Sequence, residues 1–137
     1  MIRRIVILSL CLNAVMLSFA EIKHLNKQEF LEKVYNYEKY PSEWKFQAKR
    51  PCLIDFYATW CGPCQMQAPI LEDVKQRLGD SVSVVKIDVD RNSEAAAMYN
   101  VRSIPTLMLF KDGKQLWRGT GLHQAEDLIA TVHEHIG

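Results

Sequence analysis

Leu53-Ile54-Asp55-Phe56-Tyr57-Ala58-Thr59-Trp60-Cys61-Gly62-Pro63-Cys64 is the stretch whose reading decides the fold. Cys52 to Ala58 is apolar and aromatic and lies between Pro51 and the Trp60 motif, the pattern of a buried central strand. Beyond it, Ile70, Leu71, Val74 and Leu78 recur at helical spacing until Gly79-Asp80 ends the run. Two cysteines separated by two residues therefore stand where a strand hands over to a helix. Thiols one helical turn apart can close a disulfide. The free N–H groups and positive dipole end of the helix start favour a thiolate at the first of them, Cys61, below the free value of about 8.5. Cys64, one turn in, is expected to be less accessible and to attack from within. Pro63 suits a first turn, where its missing N–H would have no partner anyway. A Cys-x-x-Cys pair can also be half of a zinc site or a static disulfide. A zinc site needs two more ligands; Cys52 stands alone and His133-x-His135 has the wrong spacing. The strand-to-helix context favours redox chemistry, and no metal or cofactor is expected.

Outward from this motif the pattern is α/β. Glu21–Leu25 is a short strand candidate, and Asn26 with Glu29 forms a capping box ahead of a helix over residues 27–36, with Phe30, Leu31 and Val34 on one face. Pro69 is expected to bend the long helix near its middle. Val82–Val89 reads as a strand and Ser93–Tyr99 as a short helix. Thr106–Phe110 and Gln115–Arg118 are strands joined at Asp112-Gly113, a strong hairpin signal. Ala125, Leu128, Ile129, Val132 and Ile136 give a C-terminal amphipathic helix. The predicted order is βαβαβαββα. Residues 37–50 fit no period; Tyr37, Tyr40, Trp44 and Phe46 read as anchors pinning a long loop to the domain.

The 137 residues suit one domain, and 48% hydrophobic with 24% charged residues is ordinary for a chain with a real core. A formal charge of +1 gives no basic field for nucleic acid. The N-terminus differs from the rest. Arg3 and Arg4 precede an almost wholly apolar Ile5–Val15, and Ser18-Phe19-Ala20 offers small residues for cleavage after Ala20. Residues 1–20 thus read as a secretory signal peptide and 21–137 as the mature domain. As an uncleaved anchor the apolar run falls somewhat short of the ~20 residues a spanning helix needs. Cleavage removes Cys11 and leaves Cys52, Cys61 and Cys64, an odd count that argues against a framework of structural disulfides. Cys52, alone on a buried strand, reads as a small hydrophobe.

The 53–64 stretch, with Ile104-Pro105-Thr106, Gly113 and Gly121 downstream, resembles thioredoxin over the whole mature chain except the aromatic loop. The resemblance implies a central mixed sheet flanked by helices and a dithiol–disulfide cycle at Cys61 and Cys64. It implies a cis Ile104-Pro105 bond beside the cysteines, with the Ile104 backbone pairing an extended substrate segment. Trp60, Gly62, Pro63, Ile104, Pro105 and Gly121 would surround Cys61 as a docking surface. Asp55, an expensive carboxylate in an apolar strand, would lie beneath Cys64 and exchange its proton, with Lys86 in the neighbouring strand as its partner. Tyr57 and Gln65 stand where the family often has Trp and Lys. The implied activity is reduction, or exchange, of disulfides in exported proteins by a monomer located in a periplasm, or in a secretory lumen or outside the cell if the source is eukaryotic. Electrons would pass through a membrane or exported donor or acceptor. Gly62-Pro63 and Ile104 resemble reductants more than dedicated oxidants. The rival reading is a redox-competent chaperone that grips unfolded chains through the aromatic loop and Trp60.

Overall fold

A computed structural model describes residues 22–34, 36, 38, 39 and 50–137. Residues 1–20, read above as a signal peptide, and Tyr37, Tyr40, Trp44 and Phe46, read as loop anchors, lie outside the described residues. The elements are β1 (Lys23–Leu25), α1 (Lys27–Lys33), β2 (Cys52–Tyr57), α2 (Gly62–Leu78), a 3-10 turn (Gly79–Ser81), β3 (Ser83–Asp88), α3 (Ser93–Met98), β4 (Thr106–Lys111), β5 (Lys114–Thr120) and α4 (Ala125–Ile136). The order matches the sequence reading. The capping box forms as expected: the Asn26 side chain accepts from Glu29 N–H at 2.9 Å, and the Glu29 carboxylate accepts from Asn26 N–H at 3.1 Å. The helix stops earlier than its predicted end at residue 36, because its apolar face is used up by Phe30, Leu31 and Val34, all buried.

The sheet runs β1-β3-β2-β4-β5. β2 pairs parallel with β3 and antiparallel with β4, which places it at the centre. That position explains its unbroken apolar run, since both of its faces are covered. Period-two alternation splits its side chains. Cys52, Ile54 and Phe56 join Phe30, Ile87, Ala95, Tyr99 and Phe110 on the α1/α3 side. Leu53 joins Leu71, Val74, Leu107, Leu128 and Val132 on the α2/α4 side. Asp55 alternates with Ile54 and Phe56 and so shares the Leu53 face, beneath α2. The β4–β5 hairpin turns at Asp112 (φ 51°) and Gly113 (φ 77°), the left-handed pair that an Asp-Gly turn supplies at low cost.

Helix α2 is continuous through Pro69 and ends at Gly79, whose φ of 59° suits glycine. The sequence reading missed the group that closes this end. Lys75 is buried, and its ammonium donates to the carbonyls of Gly79 at 2.8 Å and Val82 at 2.9 Å. Those acceptors replace the water its charge gives up.

Cys52 is 1% exposed and free, and burial pushes its thiol up to about 12. It is therefore an apolar filler at any physiological pH. Cys52→Ala is expected to cost about 1 kcal/mol of stability and to leave disulfide reduction within about twofold of wild type. Loss of most turnover in a folded variant contradicts that assignment.

Candidate active site around Cys61 and Cys64

Cys61 is the N-cap of α2, with extended backbone angles (φ −85°, ψ 114°), and its Sγ accepts the Cys64 N–H at 3.2 Å. This is the capping geometry normally supplied by a serine or aspartate oxygen, here made by sulfur. Cys61 and Cys64 are joined as a disulfide, with Cα atoms 5.2 Å apart. Both are nearly covered, at 4% and 2% exposure, so accessibility separates them little and the cap position distinguishes them instead. They pack with Ala58 and the edges of Tyr57, Val89 and Ile104.

Three backbone segments converge here. The Ile104-Pro105 bond is cis, and the Ile104 carbonyl oxygen lies 3.8 Å from Cys61 Sγ. Gly121 N–H donates to the Pro105 carbonyl at 2.8 Å, and Gly121 has φ 82°, a conformation that side chains resist. Gly62 and Pro63 are exposed in the first turn of α2. A Cβ at Gly62 would meet nothing within 4 Å, so the fold itself tolerates a side chain there.

Trp60 is 70% exposed, which rules out a core role. Its indole Nε1–H donates to Asp90 Oδ2 at 2.7 Å, and Asp90 N–H in turn donates to Asp88 Oδ1 at 2.9 Å. Asp90 was not singled out from the sequence; thirty positions away, it carries no local signal. Asp90→Ala removes the acceptor that orients the exposed ring. It is expected to weaken reduction of a protein disulfide about threefold while changing stability by less than about 1 kcal/mol, as read from steady-state kinetics and urea titration.

Asp55 is fully buried, and neither carboxylate oxygen has a hydrogen-bond partner among the described residues. Burial pushes its carboxyl up to about 7, against the smaller pull of Lys86 in the other direction. Lys86 is its register partner across β2–β3, but no ion pair joins them within 4 Å. The Lys86 ammonium instead stands 4.3 Å from the centroid of the Tyr57 ring, a cation–π contact. The structural ion pair that would account for a buried aspartate is therefore not formed.

A disulfide-joined cysteine pair at a helix start, a cis-proline loop beside it and a buried carboxyl in the strand that leads into it define a thiol–disulfide oxidoreductase built on the thioredoxin fold. The thioredoxin family profile matches residues 21–134, and the chain belongs to that family. It is 54% identical over 80 residues to a thioredoxin-like protein of Synechocystis sp., covering 58% of this chain and 76% of that one. It is 49% identical over 84 residues to thioredoxin of Bacillus subtilis, covering 61% and 81%. Among solved structures it resembles chloroplastic thioredoxin z, with 25% identity, a TM-score of 0.67 and coverage of 85% of this chain and 95% of that one.

Proposed function

We propose that this chain is an exported protein-disulfide reductase that cycles between a Cys61/Cys64 dithiol and disulfide. The observation that carries the reading is the N-cap position of Cys61, whose sulfur receives a backbone N–H and the helix dipole. Cys61 thiolate attacks one sulfur of a substrate disulfide. A Cys61–substrate disulfide forms, and the other substrate sulfur leaves as a thiolate and takes a proton. Cys64, giving its proton to Asp55, then attacks Cys61 Sγ. The Cys61–Cys64 disulfide forms and the second substrate thiol departs, so two electrons pass from protein to substrate. Trp60, Gly62, Pro63, Ile104, Pro105 and Gly121 receive the substrate, with the Ile104 backbone pairing an extended segment. Lys86 tunes the Asp55 carboxyl by its charge. The protein acts as a monomer.

Export rests on Arg3, Arg4, the apolar run Ile5–Val15 and the Ser18-Phe19-Ala20 site. The periplasm is the proposed compartment. There the oxidised protein needs a membrane or exported donor to restore its dithiol.

Reduction of insulin by the dithiol form is the direct test. A chaperone that only binds chains leaves insulin oxidised. Cell fractionation with N-terminal sequencing of the recovered protein tests export, for which a mature chain beginning at Glu21 outside the cytoplasm is expected. The potential of the Cys61/Cys64 couple, set against the poise of that compartment, tests the direction of electron flow.

A further inference from the structure

Gln67 has no part in the proposed cycle, yet it is wholly buried in the helix that carries both cysteines. Its Nε2 donates to the His123 carbonyl at 2.9 Å, and its Oε1 accepts the His123 N–H at 2.8 Å. One side-chain amide thus satisfies both backbone groups of a residue in the loop between β5 and α4. The His123 ring stands edge-on to Trp117, with centroids 5.3 Å apart. Its Nδ1 lies 2.8 Å from the Gly121 carbonyl oxygen, an acceptor, so Nδ1 carries the proton and donates. A Cβ on Gly119 would come within 2.5 to 2.7 Å of the Trp117 and His123 rings, so the seat of the imidazole is filled. From Gly121 the line continues through its N–H to the Pro105 carbonyl, next to the Ile104 oxygen that faces Cys61.

We infer that Gln67 and His123 are positioning residues that hold the Ile104–Pro105 and Gly121–Leu122 segments in register with the cysteine helix, and so favour extended polypeptide disulfides over small ones. The inference rests on the proposed dithiol cycle and adds to it a determinant of substrate class. A small disulfide needs only to reach Cys61 Sγ. A polypeptide must also pair its main chain beside Ile104 and lie along Gly121, and strand-type hydrogen bonds fail with displacements on the order of 1 Å. An apolar side chain at position 67 could fill the space but could not tie down both backbone groups of His123.

Gln67→Met keeps the bulk and removes both bonds. The kcat/KM for insulin is expected to fall about tenfold, mainly through KM, while that for hydroxyethyl disulfide stays within about twofold. Amide exchange at His123 and Gly121 is expected to accelerate while the β2 and β3 amides keep wild-type protection. His123→Ala retains the Gln67 bonds to the backbone and loses only the ring's tie to Gly121; a smaller loss of the same selectivity is expected, and it provides the test if Gln67→Met does not fold. Equal losses on both substrates, or no loss on either, overturn the inference while the wild-type cycle stands. Wild-type protein inert toward both disulfides overturns the cycle and the inference with it.

Discussion

Cys64→Ser is expected to accumulate covalent complexes with client proteins, whereas Cys61→Ser traps almost none. The asymmetry follows from position. Cys61 caps α2 and receives the Cys64 N–H at 3.2 Å, so a negative charge on its sulfur meets a donor and the positive end of a helix of 17 residues. Cys64 lies a turn inside the helix, within attacking distance of Cys61 but without the cap position that favours a thiolate. With Cys64 absent, the mixed disulfide forms and has no internal thiol to clear it. Non-reducing electrophoresis followed by mass spectrometry of tagged variants reads the result, and the contrast should exceed about tenfold in trapped protein. Comparable trapping by Cys61→Ser, or a lower alkylation pKa at Cys64 in the reduced protein, reverses the assignment.

Asp55→Asn should show two effects that separate by pH. The first is on stability. Burial raises the folded-state carboxyl to about 7 from its ordinary value near 4, so the fold favours the protonated form. Below about pH 4 both folded and unfolded chains are protonated and the aspartate costs nothing extra. As pH rises through that window the unfolded chain gives up its proton first, and stability falls with a total loss on the order of 4 kcal/mol by pH 8. The substituted asparagine has no proton to lose, though its amide lacks a partner and costs about 1 to 2 kcal/mol. Urea unfolding of the oxidised variant is therefore expected to show a net gain of about 2 kcal/mol at pH 8, no gain at pH 4, and a flatter profile between. The second effect is kinetic. At neutral pH, release of the mixed disulfide should slow about 10- to 100-fold while its formation changes little, because the role proposed for the carboxylate is to take the Cys64 proton and not that of Cys61. Equal slowing of both steps removes the assigned role. An unchanged stability profile means that Asp55 is ionised at low cost in the fold.

Much of this molecule is legible residue by residue. The strand-to-helix change of period around Cys61, the capping box at Asn26 and Glu29, the Asp-Gly hairpin and the C-terminal stripe from Ala125 to Ile136 are local signals, each governed by backbone conformation or a period of two or 3.6. They are present before any tertiary contact forms. The cis Ile104-Pro105 bond was implied by the family resemblance alone, whereas the burial of Asp55 followed from the strand pattern. Helix α1 stops short of residue 36, where the apolar stripe of Phe30, Leu31 and Val34 ends, because periodicity alone leaves a helix end open by about one or two residues.

Other features required the folded arrangement. Trp60 meets Asp90, and Lys75 closes its own helix end by reaching the Val82 carbonyl across a turn; neither partner is marked by type or spacing. Lys86 is adjacent to Asp55 in register, yet its ammonium rests on Tyr57, a choice between a carboxylate and a ring face made by side-chain geometry within the packed sheet. Gln67 did leave a trace, as a polar residue on the same stripe as Leu71 and Val74, but nothing nearby in the chain marks His123 as its partner. Local sequence determined where the helices, strands and reactive sulfurs of this protein lie, because those depend on short-range periodicity and caps. Tertiary structure alone decided which buried polar groups satisfy one another, because that depends on distances between elements far apart in the chain.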